Sequence, residues 1–171
     1  DTGGRYSPTG NSWTPTGAAG LPAGRVSHTS VWTGSEMIVW GGSDGLYLDT
    51  GSAYDPATDT WSATTTSNAP SSRIWHTALW TGTEMIVWGG NTAGGSTNGG
   101  GRYDPALDAW TSTSTGANVP APRRNNTAVW SGTEMIVWGG EDSGILQTGS
   151  RYDPTTDSWQ TTPEVDVPSE R

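Results

Sequence analysis

Cysteine is absent from the 171 residues, as are lysine and phenylalanine. Without cysteine there is no disulfide, no thiolate nucleophile and no Cys-ligated zinc. Without lysine there is no Walker-type phosphate loop and no Schiff-base lysine. Leu, Ile and Val are also few, 6, 5 and 9 residues, a level that points to disorder in a chain of net charge -9. Long apolar runs are missing too. The repeated Met-Ile-Val-Trp stretch is four residues long, far below the ~20 needed to span a bilayer. Seventeen acids against eight arginines repel phosphate backbones and anionic membranes, so nucleic acid and membrane insertion are excluded as partners. Only two histidines are present, so no three-His metal site can form within one chain, and no metal or cofactor is expected.

Against these absences stand eleven tryptophans. Each buries roughly 150–250 Å², enough for aromatic rings to supply the core that aliphatic residues do not. They recur with a period. Met-Ile-Val-Trp-Gly-Gly begins at Met37, Met85 and Met135, each time just after Glu36, Glu84 or Glu134. Tyr-Asp-Pro begins at Tyr54, Tyr103 and Tyr152, and Trp61, Trp110 and Trp159 follow seven residues later. Tyr6-Ser7-Pro8 and Trp13 repeat the second half without the first. Arg25, Arg73, Arg123 and Arg171 open successive units 48, 50 and 48 residues apart. The middle unit carries one extra residue between Gly90 and Tyr103 and another between Trp110 and Arg123. Both insertions fall in loop-like composition.

Each unit reads as four short strands and no helix. His28–Trp32 is the first, closed by a turn at Thr33-Gly34. Glu36–Trp40 is the second, and its unbroken apolar run predicts burial on both faces. The doublets Gly41-Gly42, Gly89-Gly90 and Gly139-Gly140 mark close approach of another backbone or ring. Tyr54 ends the third strand, and Asp55-Pro56 with Asp59 turns into the fourth at Trp61. Four-stranded units of about 50 residues are the mark of propeller blades.

The glycine doublet and the later Tyr and Trp resemble the kelch repeat over the whole chain. The resemblance implies an all-β propeller of four-stranded antiparallel blades. Residues 1–24 supply the last two strands of a blade, and blades follow at 25–72, 73–122 and 123–171. Three and a half blades cannot close a ring. Further blades of a parent protein, or a second copy of the chain, are therefore expected to cover the open faces, and an excised segment is preferred to a dimer because both half-blades of a pair would be the same half.

Residues in the same slot of every unit are read as architectural: seven of the eight arginines and nine of the seventeen acids, with aspartates capping turns and some Arg and Glu bonding between blades. His28, His76 and Asn126 share a slot near the expected axis, where channel-facing side chains would sit; a structural histidine is favoured over a shared metal. Gly41–Gly45 matches G-x-S-x-G, but it joins two strands, whereas a nucleophile elbow joins a strand to a helix. The Asp55–Trp61 turn lacks the internal glycine of sialidase aspartate boxes. Asp44, Asp49, Glu141 and Asp142 lie off-slot and are read as solvated loop charge, with calcium the alternative. Asn125-Asn126-Thr127 is a glycosylation sequon.

The sharpest candidates break the repeat. Between the opening Arg and the histidine slot the units read Val26-Ser27, Ile74-Trp75 and Arg124-Asn125, and Arg124 is the only arginine outside a slot. Trp75, Arg124 and Asn125 are expected at one channel end, beside loops 43–49, 91–101 and 141–147, as a surface for a glycan or peptide; drift at tolerant positions is the alternative. The kelch resemblance implies a non-catalytic binding or scaffold module. A galactose-oxidase-like site is excluded by the absent cysteine, and a sugar-isomerising enzyme would use channel Arg and His. Acidity, absent Lys and Ser/Thr/Gly/Asn-rich loops point to a secreted or surface bacterial protein, extracellular or periplasmic.

Overall fold

The computed structural model describes residues 3–163, and these form sixteen strands and no helix. A two-stranded sheet comes first, β1 (Gly4–Ser7) with β2 (Ser12–Pro15). The first four-stranded sheet is β3 (Thr29–Trp32), β4 (Met37–Trp40), β5 (Gly51–Asp55) and β6 (Thr60–Ala63), paired in chain order. The second is β7 (Thr77–Trp80), β8 (Met85–Trp88), β11 (Gly100–Asp104) and β12 (Ala109–Ser112); a small hairpin, β9 (Asn91–Thr92) with β10 (Gly95–Ser96), projects from it. The third is β13 (Thr127–Trp130), β14 (Met135–Trp138), β15 (Gly149–Asp153) and β16 (Ser158–Thr161). All pairings are antiparallel. Neighbouring sheets meet through their first strands β3, β7 and β13, the arrangement of propeller blades around an axis.

The second strands are buried on both sides in the central sheet, as their composition predicts. Met85, Ile86, Val87 and Trp88 are all fully buried. Side chains alternate along a strand, so Ile38 and Trp40 point to the following sheet while Met37 and Val39 point to the preceding one. At each seam an indole meets an indole: Trp40 lies 5.4 Å from Trp110 and Trp88 lies 5.3 Å from Trp159. The receiving Trp also stacks on its cross-strand Tyr at 4.9–5.0 Å (Tyr54–Trp61, Tyr103–Trp110, Tyr152–Trp159). Tryptophan thus builds the core that aliphatic residues cannot fill.

The slotted charges hold sheets together. Asp59, Asp108 and Asp157 accept the hydroxyl of Tyr54, Tyr103 and Tyr152 at 2.5–2.7 Å. Each also accepts a backbone amide from the segment leading in from the previous sheet, Gly17, Thr65 or Ser114, at 2.8–2.9 Å. Asp55, Asp104 and Asp153 cap the turns. The opening arginines act as staples. Arg73 donates its amide to Leu48 O and accepts from Gly42 N, both of the preceding sheet, while its guanidinium donates to Gly89 O and Gly99 O of its own. Arg123 does the same one sheet further on. The turn read at Thr33-Gly34 is a four-residue loop, 33–36, in which the Thr33 hydroxyl accepts the Glu36 amide at 2.9 Å.

Candidate interaction surface

In an antiparallel meander the entry to the first strand and the link from second to third strand fall at the same end of the sheet. Backbone bonding joins them here: Val26 bridges Ser43, Ile74 bridges Asn91 and Arg124 bridges Glu141. The residue after each bridge is left-handed, Ser27 at φ 56°, Trp75 at 56° and Asn125 at 54°. An indole in that region carries strain, which the bridge on one side and a buried neighbour on the other hold in place. The reversal turns the next side chain inward.

That inward slot is the histidine slot, and it does not face the channel. His76 and Asn126 are buried in the seams, against Gly41 and Gly89 of the preceding sheet. His76 Nε2 lies 2.8 Å from Thr29 Oγ1, and Asn126 Nδ2 donates to Thr77 Oγ1 at 3.3 Å. The doublet explains the difference from expectation: Gly41 has φ +69°, and a Cβ there would stand 2.7 Å from the His76 ring, so the absent side chain makes room that the imidazole fills. Burial, with the Arg73 charge second, pushes the His76 pKa down to about 3, so the ring is neutral. Only His28 is exposed, having no preceding first strand to enter.

The outward-turned residues do come together. The Arg124 guanidinium carbon lies 5.5 Å from the Trp75 ring centre, a cation–π stack. Arg124 Nε donates to Glu141 Oε1 at 3.1 Å and Asn125 Nδ2 donates to the same oxygen at 3.0 Å. These two donors hold the exposed Glu141 carboxylate below its usual pKa. Asn125 N donates to Trp75 O at 3.0 Å, tying the second sheet's entry to the third's. Glu141, read from the sequence as solvated loop charge or a calcium ligand in a loop beside this pair, is the ion partner of Arg124; its signal is an off-slot acid 17 residues after the off-slot arginine, a separation that the bridge closes. The other acidic loop residues gather no metal set, for no group of three or more His, Asp or Glu suited to a cation occurs among the described residues. Ser43, in the G-x-S-x-G match, accepts the Gly45 amide within its loop.

This end is also unusually apolar. Val26, Leu46, Trp75 and Ile145 lie on it, four of the nine large hydrophobic residues exposed in the described chain. Comparison with known families agrees with the geometry: the KLHDC2/KLHL20/DRC7 Kelch-repeats domain model matches residues 5–171. The chain belongs to the kelch-repeat family. No curated protein matches it. Kelch repeat domains generally serve as protein-interaction scaffolds, and the all-β fold of packed four-stranded sheets is theirs.

Proposed function

We propose that this kelch segment is a non-catalytic binding scaffold of a secreted or surface bacterial protein, extracellular or periplasmic, and that it meets its ligand at the end carrying Trp75, Arg124, Asn125 and Glu141. The single observation behind this reading is the stacked, ion-paired cluster on a face that also exposes Val26, Leu46 and Ile145. Exposed aromatic and arginine side chains grouped with apolar neighbours are what protein-contact hot spots are made of. A protein segment is the favoured ligand; an indole face with Asn and Glu beside it also suits a sugar ring. The alternative of a sugar-isomerising enzyme needs an accessible histidine base; His76 is buried, so that role would fall to the exposed His28.

The test is a panel of displayed peptides and glycans, read with the unmodified protein, Trp75→Ala and Arg124→Ala. A ligand bound through this end loses about tenfold or more in affinity in Trp75→Ala and in Arg124→Ala. Full binding by both variants would move the site elsewhere. Turnover of a sugar, abolished by His28→Ala, would replace the scaffold reading with the enzymatic one.

A further inference from the structure

We propose that a cavity in the seam between the second and third four-stranded sheets is a binding site for a neutral sugar ring. It lies at the opposite end of the sheets from the Trp75 cluster. Its rim is made by the turns 81–84, 132–134 and 153–155, which follow first and third strands, whereas Trp75 stands where a first strand begins. The cavity encloses about 710 Å³, a size usual for small-molecule pockets. Both flanking sheets have all four strands, so its walls owe nothing to either end of the chain.

Three side chains specify the ligand. Arg102 of β11 and Glu84, just ahead of β8, line the cavity from the second sheet. Arg102 Nη1 donates to Pro154 O of the third sheet at 2.7 Å and lies 3.5 Å from Glu84 Oε2. Neither group is used up by this. The other donors of the guanidinium have no acceptor among the described residues, and apart from the long contact to Arg102 no donor among them reaches the Glu84 carboxylate. Their side chains are 18% and 25% exposed, mostly desolvated yet open to the cavity. The two further acids on the rim are engaged, Glu134 by Arg151 at 3.0 Å and Asp153 by the Thr155 amide at 2.8 Å. From the third sheet, Trp130 packs part of its ring on the seam core and lines the cavity with the rest.

A cation entering this cavity meets Arg102 and an anion meets Glu84, so a charged ligand gains at one group what it loses at the other. A hydroxyl both donates and accepts, and neighbouring hydroxyls on one ring therefore serve both groups, donating to Glu84 and accepting from Arg102. The ring's C–H face covers the indole. The repeat supplies its own control. At the seam between the first and second sheets, Trp80 and Glu36 hold the slots of Trp130 and Glu84, but Ala53 stands in the slot of Arg102. That seam closes round its core without a guanidinium, so packing does not require Arg102, and the site is single.

The probes are methyl glucoside, methyl galactoside, methyl mannoside and N-acetylglucosamine, each titrated into the isotope-labelled chain and followed at the Trp130 indole N–H. At least one binds saturably, at one site per chain and with millimolar affinity, and shifts that resonance. Glucuronate and glucosamine, the charged counterparts, bind several-fold more weakly. Arg102→Ala, which copies Ala53, weakens binding about tenfold and Glu84→Gln several-fold, both in chains that keep the native β-sheet circular dichroism. Trp75→Ala leaves sugar binding intact, so the two sites fail independently. The proposal is overturned by the absence of a saturable response to any of the four sugars, by glycerol binding as tightly as the best of them, or by tighter binding of glucuronate or glucosamine. Full binding by both Arg102→Ala and Glu84→Gln overturns it as well. A response that Trp75→Ala removes and Arg102→Ala leaves belongs to the other end of the sheets; it overturns this site and leaves the Trp75 reading standing.

Discussion

The seam between the first and second four-stranded sheets and the cleft on the other side of the first sheet carry the same residues in different surroundings. In the seam His76 is 5% exposed and Trp80 is half-buried; in the cleft His28 is exposed and Trp32 is 53% exposed. Arg73 is 3% exposed, while Arg25, its counterpart, is partly open with its guanidinium on the same kind of carbonyls, Gly41 O and Thr50 O. What separates each pair is a neighbouring hairpin. A repeat fixes which residue stands in a slot, and the neighbour decides whether that residue is core, staple or surface. This follows from stacking units that cannot bury their faces alone.

Breaking the comparison at its largest difference means removing an indole from each environment. Trp88→Ala, at a fully buried ring between the second and third sheets, should destabilise the fold by about 3–5 kcal/mol. Trp13→Ala, 70% exposed on the outer strand pair, should change stability by about 0.5 kcal/mol or less. Urea denaturation of both variants measures this, and near-equal losses would mean that the seams do not carry the stability. The arginines come next. Burial lowers the Arg73 pKa to about 10, which still leaves it charged at neutral pH, with backbone carbonyls as its acceptors. Arg73→Met strands those carbonyls and should lose about 2–3 kcal/mol. Arg25→Met should lose less, since water reaches its acceptors. Parity between the two in the same denaturation series would remove burial as the cause.

The last effect is absent at neutral pH and visible only on acidification. His76 is held neutral by burial, with a folded-state pKa far below the unfolded value, so the unfolded chain binds the extra proton. Stability contributed by this site is then complete above about pH 6.5 and falls as pH drops toward 3, by at most about 1.4 kcal/mol per pH unit. His76→Asn adopts the residue that the third unit already uses at Asn126, and it should flatten the acid limb of the melting curve. Thermal melts at pH 7 and pH 4.5 decide it, and identical acid sensitivity in His76→Asn and the unmodified chain would assign the loss to carboxylates instead.

The four strands of each sheet and their order were legible because the tryptophans, the glycine doublets and the Tyr-Asp-Pro turns recur in step, and local chemistry at each turn agrees with the period. The seam geometry was legible in part. An apolar run without a polar face announces two covered sides, and Met37 to Trp40 delivers them. The favoured reading of the histidine slot, a hydrogen-bonded structural residue, holds at His76; its channel-facing placement fails because a left-handed residue just before it, Ser27, Trp75 or Asn125, reverses the side chain's direction, and nothing in a serine or a tryptophan advertises that backbone state. The β9–β10 hairpin went unread because polar, glycine-rich loop sequence looks alike whether or not two residues pair. Trp75, Arg124 and Glu141 all stood out as breaks in the repeat, but their pairing did not, because it depends on a bridge across 17 residues.

The sequence alone determined the repeating unit, the all-β class and the use of aromatic rings as core, because these follow from composition and from spacing along one chain. Tertiary structure alone decided which copy of each repeated side chain is buried and which is open, that His76 is a neutral seam residue, and that an indole, a guanidinium and a carboxylate from two units meet at one end. Those outcomes depend on which unit lies beside which, and contact between neighbours is a property of packing that no single repeat contains.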